Sequence, residues 1–144
     1  MSLFNVLDIS STGMNAQTIR LNTTASNIAN ADSVASSVDK TYRARHPIFA
    51  VRAQDLAASP ISGDSAESGS GVDVLGIVES NAPLQLRYQP DHPAANEQGY
   101  VSYPNVNIVE EMANMMSASR SFETNVEVAN SAKQMLQRIL TLGQ

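Results

Sequence analysis

Two long segments of the chain carry an apolar residue at every seventh position, and the stretch between them does not. From Leu3 to about Ala31, the residues Leu7, Met14, Leu21 and Ile28 recur at intervals of seven, with Phe4, Ser11, Thr18 and Ala25 interleaved. That is the narrow stripe of a helix that pairs in coiled-coil fashion. From Ile108 onward, Met112, Met115, Ser119, Phe122, Val126, Ala129, Lys133, Leu136 and Leu140 continue an alternation of three and four, which keeps one face inward for roughly nine turns. Asn107 followed by Glu110 has the spacing of an N-cap with a capping-box acid, and Glu110 and Glu111 stand where the helix dipole favours anions. Neither Gly nor Pro occurs from Val106 to Leu142.

Ser33 to Asn105 contains all six prolines and five of the seven glycines, so a third long helix is excluded. "TYRARHPIFAVRA" (Thr41 to Ala53), "GVDVLGIVES" (Gly71 to Ser80), "LQLRYQ" (Leu84 to Gln89) and "GYVSY" (Gly99 to Tyr103) are β-prone pieces bounded by Pro, Gly or Asn. The Ser/Gly-rich, acidic stretch Ser59 to Gly71 reads as a mobile loop. The pattern therefore predicts a mainly α chain with a small β segment. An N-terminal helix (residues 1–32) and a C-terminal helix (107–144) pair as an antiparallel coiled coil, and a β-rich middle (33–106) holds short antiparallel strands and loops.

Composition qualifies this picture. With 144 residues, 42% of them apolar but only 5% aromatic and no Trp, the core is expected to be thin. The N-terminal helix is weak on its own: Gly13 costs about 1 kcal/mol relative to Ala, and Thr12, Thr18, Thr23 and Thr24 add to the deficit. Arg20 is the only charged residue between Asp8 and Asp32, so stretches such as "NTTASNIANAD" (Asn22 to Asp32) present short amides and hydroxyls where a solvated helix would carry Lys and Glu. Such groups can be buried against a neighbouring backbone and hydrogen-bond to it. This helix expects neighbours on several sides, and the helical pair is marginal until further surface is covered. Lys133, a cation on the C-terminal stripe, is expected to specify register more than to add stability.

Candidate chemistry changes little. A net charge of −5 with no basic run excludes a nucleic-acid footprint. The chain has no Cys, which removes disulfides and thiolate sites, and no apolar run is long enough to insert in a membrane. The start, "MSLFNVLDISS", lacks the basic flank and apolar stretch of a cleavable signal peptide. His46 and His92 each precede a proline without a second ligand at metal spacing. Ser37 to Lys40 fits Ser-x-x-Lys without the companion elements of an acyl-enzyme, and Glu79, Asp91 and Glu97 have no cleft to serve. Asn22 opens an Asn-Thr-Thr acceptor pattern, but within a helical zone. No catalysis, cofactor or metal is expected.

The two ends also carry a resemblance. "SSTGMNAQTIRLNTTASNIANADS" is similar to the N-terminal signature of the bacterial flagellar rod and hook family, and "NVNIVEEMANMMSASRSFETNVEVANSAKQMLQRIL" to its C-terminal counterpart. "YQPDHPAANEQGYVSYPNVN" (Tyr88 to Asn107) and the modest length resemble the proximal-rod members of that family rather than the longer distal-rod and hook proteins.

The resemblance implies a structural subunit of the basal-body rod, exported unfolded by the flagellar type III apparatus and stacked helically across the periplasm, where the rod serves as a drive shaft that transmits torque. It implies partners among other copies of the chain and other rod proteins: proximal-rod protein B, the distal-rod proteins and the rod-to-MS-ring adaptor. Carried over residue by residue, it makes Gly13, Gln17, Asn22, Asn27 and Asn30 at one end, and Glu111, Arg120, Glu123 and Asn125 at the other, residues of inter-subunit assembly; Lys133 joins them from its place on the stripe, where its ammonium can meet an acid of a neighbour. The residues alone leave a second reading open, a soluble helical adaptor or export chaperone that holds one partner through the same stripes.

Overall fold

The computed structural model describes residues 3–35, 37–52 and 71–142. The Ser59–Gly71 loop expected from sequence therefore lies, apart from Gly71, outside the described residues. Helix α1 spans Leu3–Ala29, and a short 3-10 turn follows at Val38–Lys40. The strands are β1 (Arg45–Val51), β2 (Val72–Glu79), β3 (Gln85–Tyr88) and β4 (Tyr100–Tyr103), before helix α2 at Ile108–Leu142.

The hydroxyl-rich composition of α1 is accommodated within the helix itself. Thr18, Thr23 and Ser26 donate their hydroxyls to the carbonyls of Met14, Ile19 and Asn22, each four residues earlier, and the Asn30 amide does the same to Ser26. These bonds satisfy the side chains without charge or solvent. At the other helix, the Asn107 side chain accepts from the Val109 amide at 3.2 Å and its carbonyl accepts from Glu111 at 3.0 Å, so the predicted N-cap is in place.

The helices pack antiparallel. Gly13 stands against Asn125, and Asn27 bonds Glu111; the two pairs are two heptads apart on both helices, so the register holds along the seam. On α2 the buried positions Glu111, Ala118 and Ala132 fall at heptad intervals with half-buried Asn125 between them. The small residues at the seam allow close approach. A Cβ added to Gly13 would lie 3.0 Å from Asn125 Nδ2.

This seam runs one residue round the helix from the centre of the α2 stripe. Met115, Phe122, Ala129 and Leu136 flank it and are half-buried, whereas Ile108, Met112 and Leu140 are exposed, Met112 at 52% and Leu140 at 71%. Within a single chain the close contact is made by Ala and Gly rather than by the large apolar side chains of the stripe. The physical reason is backbone distance: Ala118, Ala132 and Gly13 let the helices approach to where a Met would not fit.

The strands form two separate antiparallel ribbons, β1 with β2 and β3 with β4. In the first, Arg45 faces Glu79 and Val51 faces Val72, with a bulge between Ile48 and Phe49. In the second, Gln85 faces Tyr103 and Tyr88 faces Tyr100. Gly99 turns between them at a φ of 79°, where a side chain would be strained and would meet Tyr88. His92 is part of the same connection, its Nδ1 accepting the Ala94 amide at 3.0 Å. The apolar core is thin: Ala31, Ala44 and Val106 cluster at the junction of helices and strands with Tyr42 packed on them, and Val101 of β4 is fully buried.

Candidate assembly surfaces

Among the described residues the most completely buried polar side chain is Asn27, in the last turns of α1, with no exposed surface. Its Nδ2 donates to Arg45 O at 2.8 Å and to Glu111 Oε2 at 2.9 Å. Its Oδ1 accepts from Arg45 N at 2.9 Å and from the Tyr42 hydroxyl at 2.9 Å. All four hydrogen-bonding positions of the amide are thereby used, and the paired bonds to Arg45 fix which end is oxygen. One side chain thus ties α1 to the start of β1 and to the first turn of α2.

A second amide completes the clamp. Asn105, just before α2, accepts from Ala44 N at 2.8 Å through Oδ1 and donates through Nδ2 to the carbonyls of Ala82 and Ser80. Ala44 and Arg45 are therefore gripped from both helix ends. Around them, Arg45 pairs with Glu79 at 2.9 Å and lies over the Tyr42 ring at 5.3 Å. Burial pushes the Tyr42 phenol above its ordinary value; the positive Arg45 pulls it down, and the Glu111 and Glu79 carboxylates raise it further. A polar cleft of about 570 Å³ opens beside this group, lined by Asn30, Asp39, Lys40, Arg43 and Glu79 among others.

At its far end the β1–β2 ribbon touches α1 again. Thr12 Oγ1 donates to Ile9 O at 2.8 Å and accepts the Val72 amide at 3.1 Å. Gly71 is buried there, and a Cβ on it would stand 2.7 Å from Thr12 Oγ1. Arg52 closes the ribbon by donating its amide to Gly71 O at 2.8 Å and its guanidinium to Asp73, with Asp8 of α1 at 3.9 Å.

The residues expected to serve inter-subunit assembly divide into two groups. Asn27 and Glu111 are 0% and 4% exposed, and Gly13 and Asn125 face each other in the seam, so these four act inside the chain. The polar groups of Asn27 and Glu111 are engaged with each other, and those of Asn27 also with Arg45 and Tyr42, within the chain. Asn30 bonds its own helix, and Gln17 is half-buried with an Oε1 that has no partner among the described residues. Asn22, Arg120, Glu123 and Lys133 are exposed.

Of the stripe on α1, Leu7, Met14, Leu21 and Ile28 are half-buried, while Ala25 and Phe4 are exposed, Phe4 at 70%. On α2, Val126 and Phe122 border a groove of about 510 Å³ with Glu123, Glu127 and Asn130. Periodicity and motif spacing do not mark Tyr42, Arg45, Asn105 or Thr12 as site residues. The signal available for Asn105 was its place two residues before the N-cap; for Tyr42 and Arg45 nothing local marks them, because their roles arise from contacts with distant segments.

Among the described residues no group of three or more His, Asp or Glu could hold a metal ion, and no helix is long and apolar enough to cross a membrane. The arrangement is that of a scaffold that leaves large apolar side chains exposed among the described residues. Comparison with known proteins agrees. Residues 7–35 match the family model "Flagella basal body rod protein", and residues 97–142 match "Flagellar basal body rod FlgEFG protein C-terminal". Over its full length the chain is 46% identical to the whole of the flagellar basal-body rod protein FlgC of Escherichia coli O6:H1. The likeness to the FlgC of Salmonella typhimurium is the same, 46% with both chains covered completely. With that of Borreliella burgdorferi it is 38% over 151 aligned positions, covering all of this chain and 99% of the relative. Two heptad-spaced terminal helices, the α1 hydroxyl face and the family matches at both ends converge on one conclusion: the chain belongs to the FlgC family of flagellar basal-body rod proteins.

Proposed function

We propose that this structural rod subunit is exported unfolded, without signal cleavage, by the flagellar type III apparatus. It then joins the rod in the periplasm through its terminal helices and contributes to a shaft that carries torque. Its neighbours in this reading are further copies of itself and other rod proteins: proximal-rod protein B, the distal-rod proteins and the rod-to-MS-ring adaptor. The supporting observation is the offset of the α2 stripe from the intrachain seam. A helix that carries a heptad stripe yet leaves Ile108, Met112 and Leu140 exposed beside its own partner is a helix with a second seam, and a second seam suits packing against further helices.

Met112→Glu tests this. It places a charge on the open flank, at a side chain 52% exposed and off the line of Glu111, Ala118, Asn125 and Ala132, so the isolated chain should nearly keep its urea midpoint while cells carrying it lose motility and yield no hook-basal bodies containing the subunit. Normal motility would sink the second-seam reading. The adaptor alternative makes a different prediction under electron microscopy: purified chain at rising concentration would then stay particulate rather than forming ordered assemblies.

A further inference from the structure

The β1–β2 ribbon meets α1 at two places whose spacing is matched. Along α1, Thr12 and Asn27 are about 15 residues apart, roughly 22 Å of helix. Along the ribbon, the seven residues of β1 cover roughly 20–23 Å. Asn27 holds Arg45, the first residue of β1, by both its N–H and its carbonyl. Thr12 holds Val72, the residue paired with the last residue of β1. The ribbon therefore lies along the helix and is fastened at each end.

Both fastenings are built from α1 side chains whose positions are themselves constrained. The Thr12 hydroxyl is held by its bond to Ile9 O and the residue is buried, so its oxygen cannot swing away from the strand. The strand comes so close only because residue 71 is glycine: any Cβ would stand 2.7 Å from Oγ1 and 3.1 Å from Cγ2 of Thr12. Between the two fastenings Ile48 and Val78, which the register puts on one face of the ribbon, are both exposed among the described residues, an apolar ridge on that face.

We propose that Thr12 and Asn27 are positioning residues that lock the β1–β2 ribbon lengthwise on α1 and so fix where the Ile48/Val78 ridge stands relative to the helical pair. Use of that ridge as a contact surface rests on the rod reading above; the positioning does not. It also gives the uncharged face of α1 a task, since the hydroxyl and the amide act as acceptors and donors to strand backbone that charged side chains would replace poorly.

The absence of cysteine gives a clean measurement. Nitroxide labels at Leu75→Cys on the ribbon and Glu127→Cys on α2, both exposed, report an intrachain distance by pulsed electron resonance in full-length chain diluted with unlabelled protein. A single narrow distribution is expected for the parent and for Thr12→Ser, which keeps the hydroxyl. At least a twofold broadening is expected for Thr12→Val, which keeps the shape, and for Gly71→Ala, which inserts the clashing Cβ, with unchanged far-ultraviolet circular dichroism in both. The proposal is overturned by a narrow distribution in Thr12→Val or Gly71→Ala, by a broad one in the parent or in Thr12→Ser, or by loss of helical signal in Thr12→Val, which would make Thr12 a requirement of the helix rather than of the ribbon's placement. Because the distance lies within one chain, failure of rod assembly would not alter the outcome.

Discussion

Asn27 Nδ2 donates to Glu111 Oε2 at 2.9 Å, joining the last turns of α1 to the first turn of α2 across 84 residues of sequence. The same amide holds Arg45 and Tyr42, so the place where the chain leaves one helix, begins its ribbon and enters the other helix is organised around a single polar side chain. In a chain whose buried apolar residues are largely Ala and Val, satisfied polar groups carry part of the task that large hydrophobic side chains perform elsewhere.

Asn27→Leu keeps the volume and removes every one of these bonds. Glu111 and the Arg45 backbone are left short of partners in a buried setting, and the expected loss is about 2–4 kcal/mol. Urea unfolding followed by circular dichroism measures it. Asn22→Leu, at an exposed position five residues earlier, should shift stability by no more than about 0.5 kcal/mol. Equal effects at the two sites would show that burial of Asn27 contributes nothing.

At the seam, Gly13 and Asn125 form a testable pair. Gly13→Ala gains about 1 kcal/mol of helix propensity but brings a Cβ to 3.0 Å from the Asn125 amide, so the net change should be near zero. In an Asn125→Ala background the obstruction is gone and the same substitution should stabilise by about 0.5–1 kcal/mol. Gly13→Leu overfills the seam and should cost about 1–3 kcal/mol. A double-mutant cycle in which Gly13→Ala has the same effect with and without Asn125 would mean that the helices do not approach as described.

Tyr42 gives the alkaline limit of the junction a named source. Its phenol is raised above its ordinary value of 10, chiefly by burial. A group that loses its proton less readily when folded stabilises the fold below its unfolded value, and that contribution disappears as pH rises through the raised folded value. Stability should therefore be lost from about pH 10 upward, as the hydroxyl that donates to Asn27 Oδ1 ionises. Tyr42→Phe should cost about 1 kcal/mol at neutral pH and flatten this part of the profile. An unchanged alkaline slope in Tyr42→Phe would assign the loss to other groups.

The periodic parts of this architecture are legible in the sequence. The heptads give both helices, Asn107 gives the start of α2, and the four β-prone pieces contain β1 to β4 with boundaries trimmed by a few residues. The uncharged face of α1 is legible too: buried Thr12, Thr23, Thr24 and Asn27 are what short polar groups permit. The stripe pattern does not reveal which line of α2 faces α1. Apolar periodicity marks where large side chains are, whereas close helix approach is decided by small residues such as Ala118 and Ala132, which a hydrophobic pattern passes over. Similarly, Asn105 and Arg45 are joined only by the fold, because each acts on backbone far from it in sequence.

The tail of α2 separates stability from assembly. Truncation after Gln134 removes Leu136, which is half-buried, and Ile139 and Leu140, which are 57% and 71% exposed. Because so little of this surface is covered within the chain, the loss to the isolated protein should be modest, about 1–2 kcal/mol, mainly from Leu136. In the rod reading proposed above, exposed apolar side chains spaced to continue a heptad pack on neighbouring helices, so the loss to the assembled rod should be far larger, repeated at each subunit. The shortened chain should therefore fold, be secreted and fail to build a rod, leaving cells without hooks and non-motile. Fractionation and motility assays on the same cells decide the matter. Retention in the cytoplasm would mean that the C-terminal turns carry export information, and normal swimming would mean that the second seam does not extend to the end of the helix.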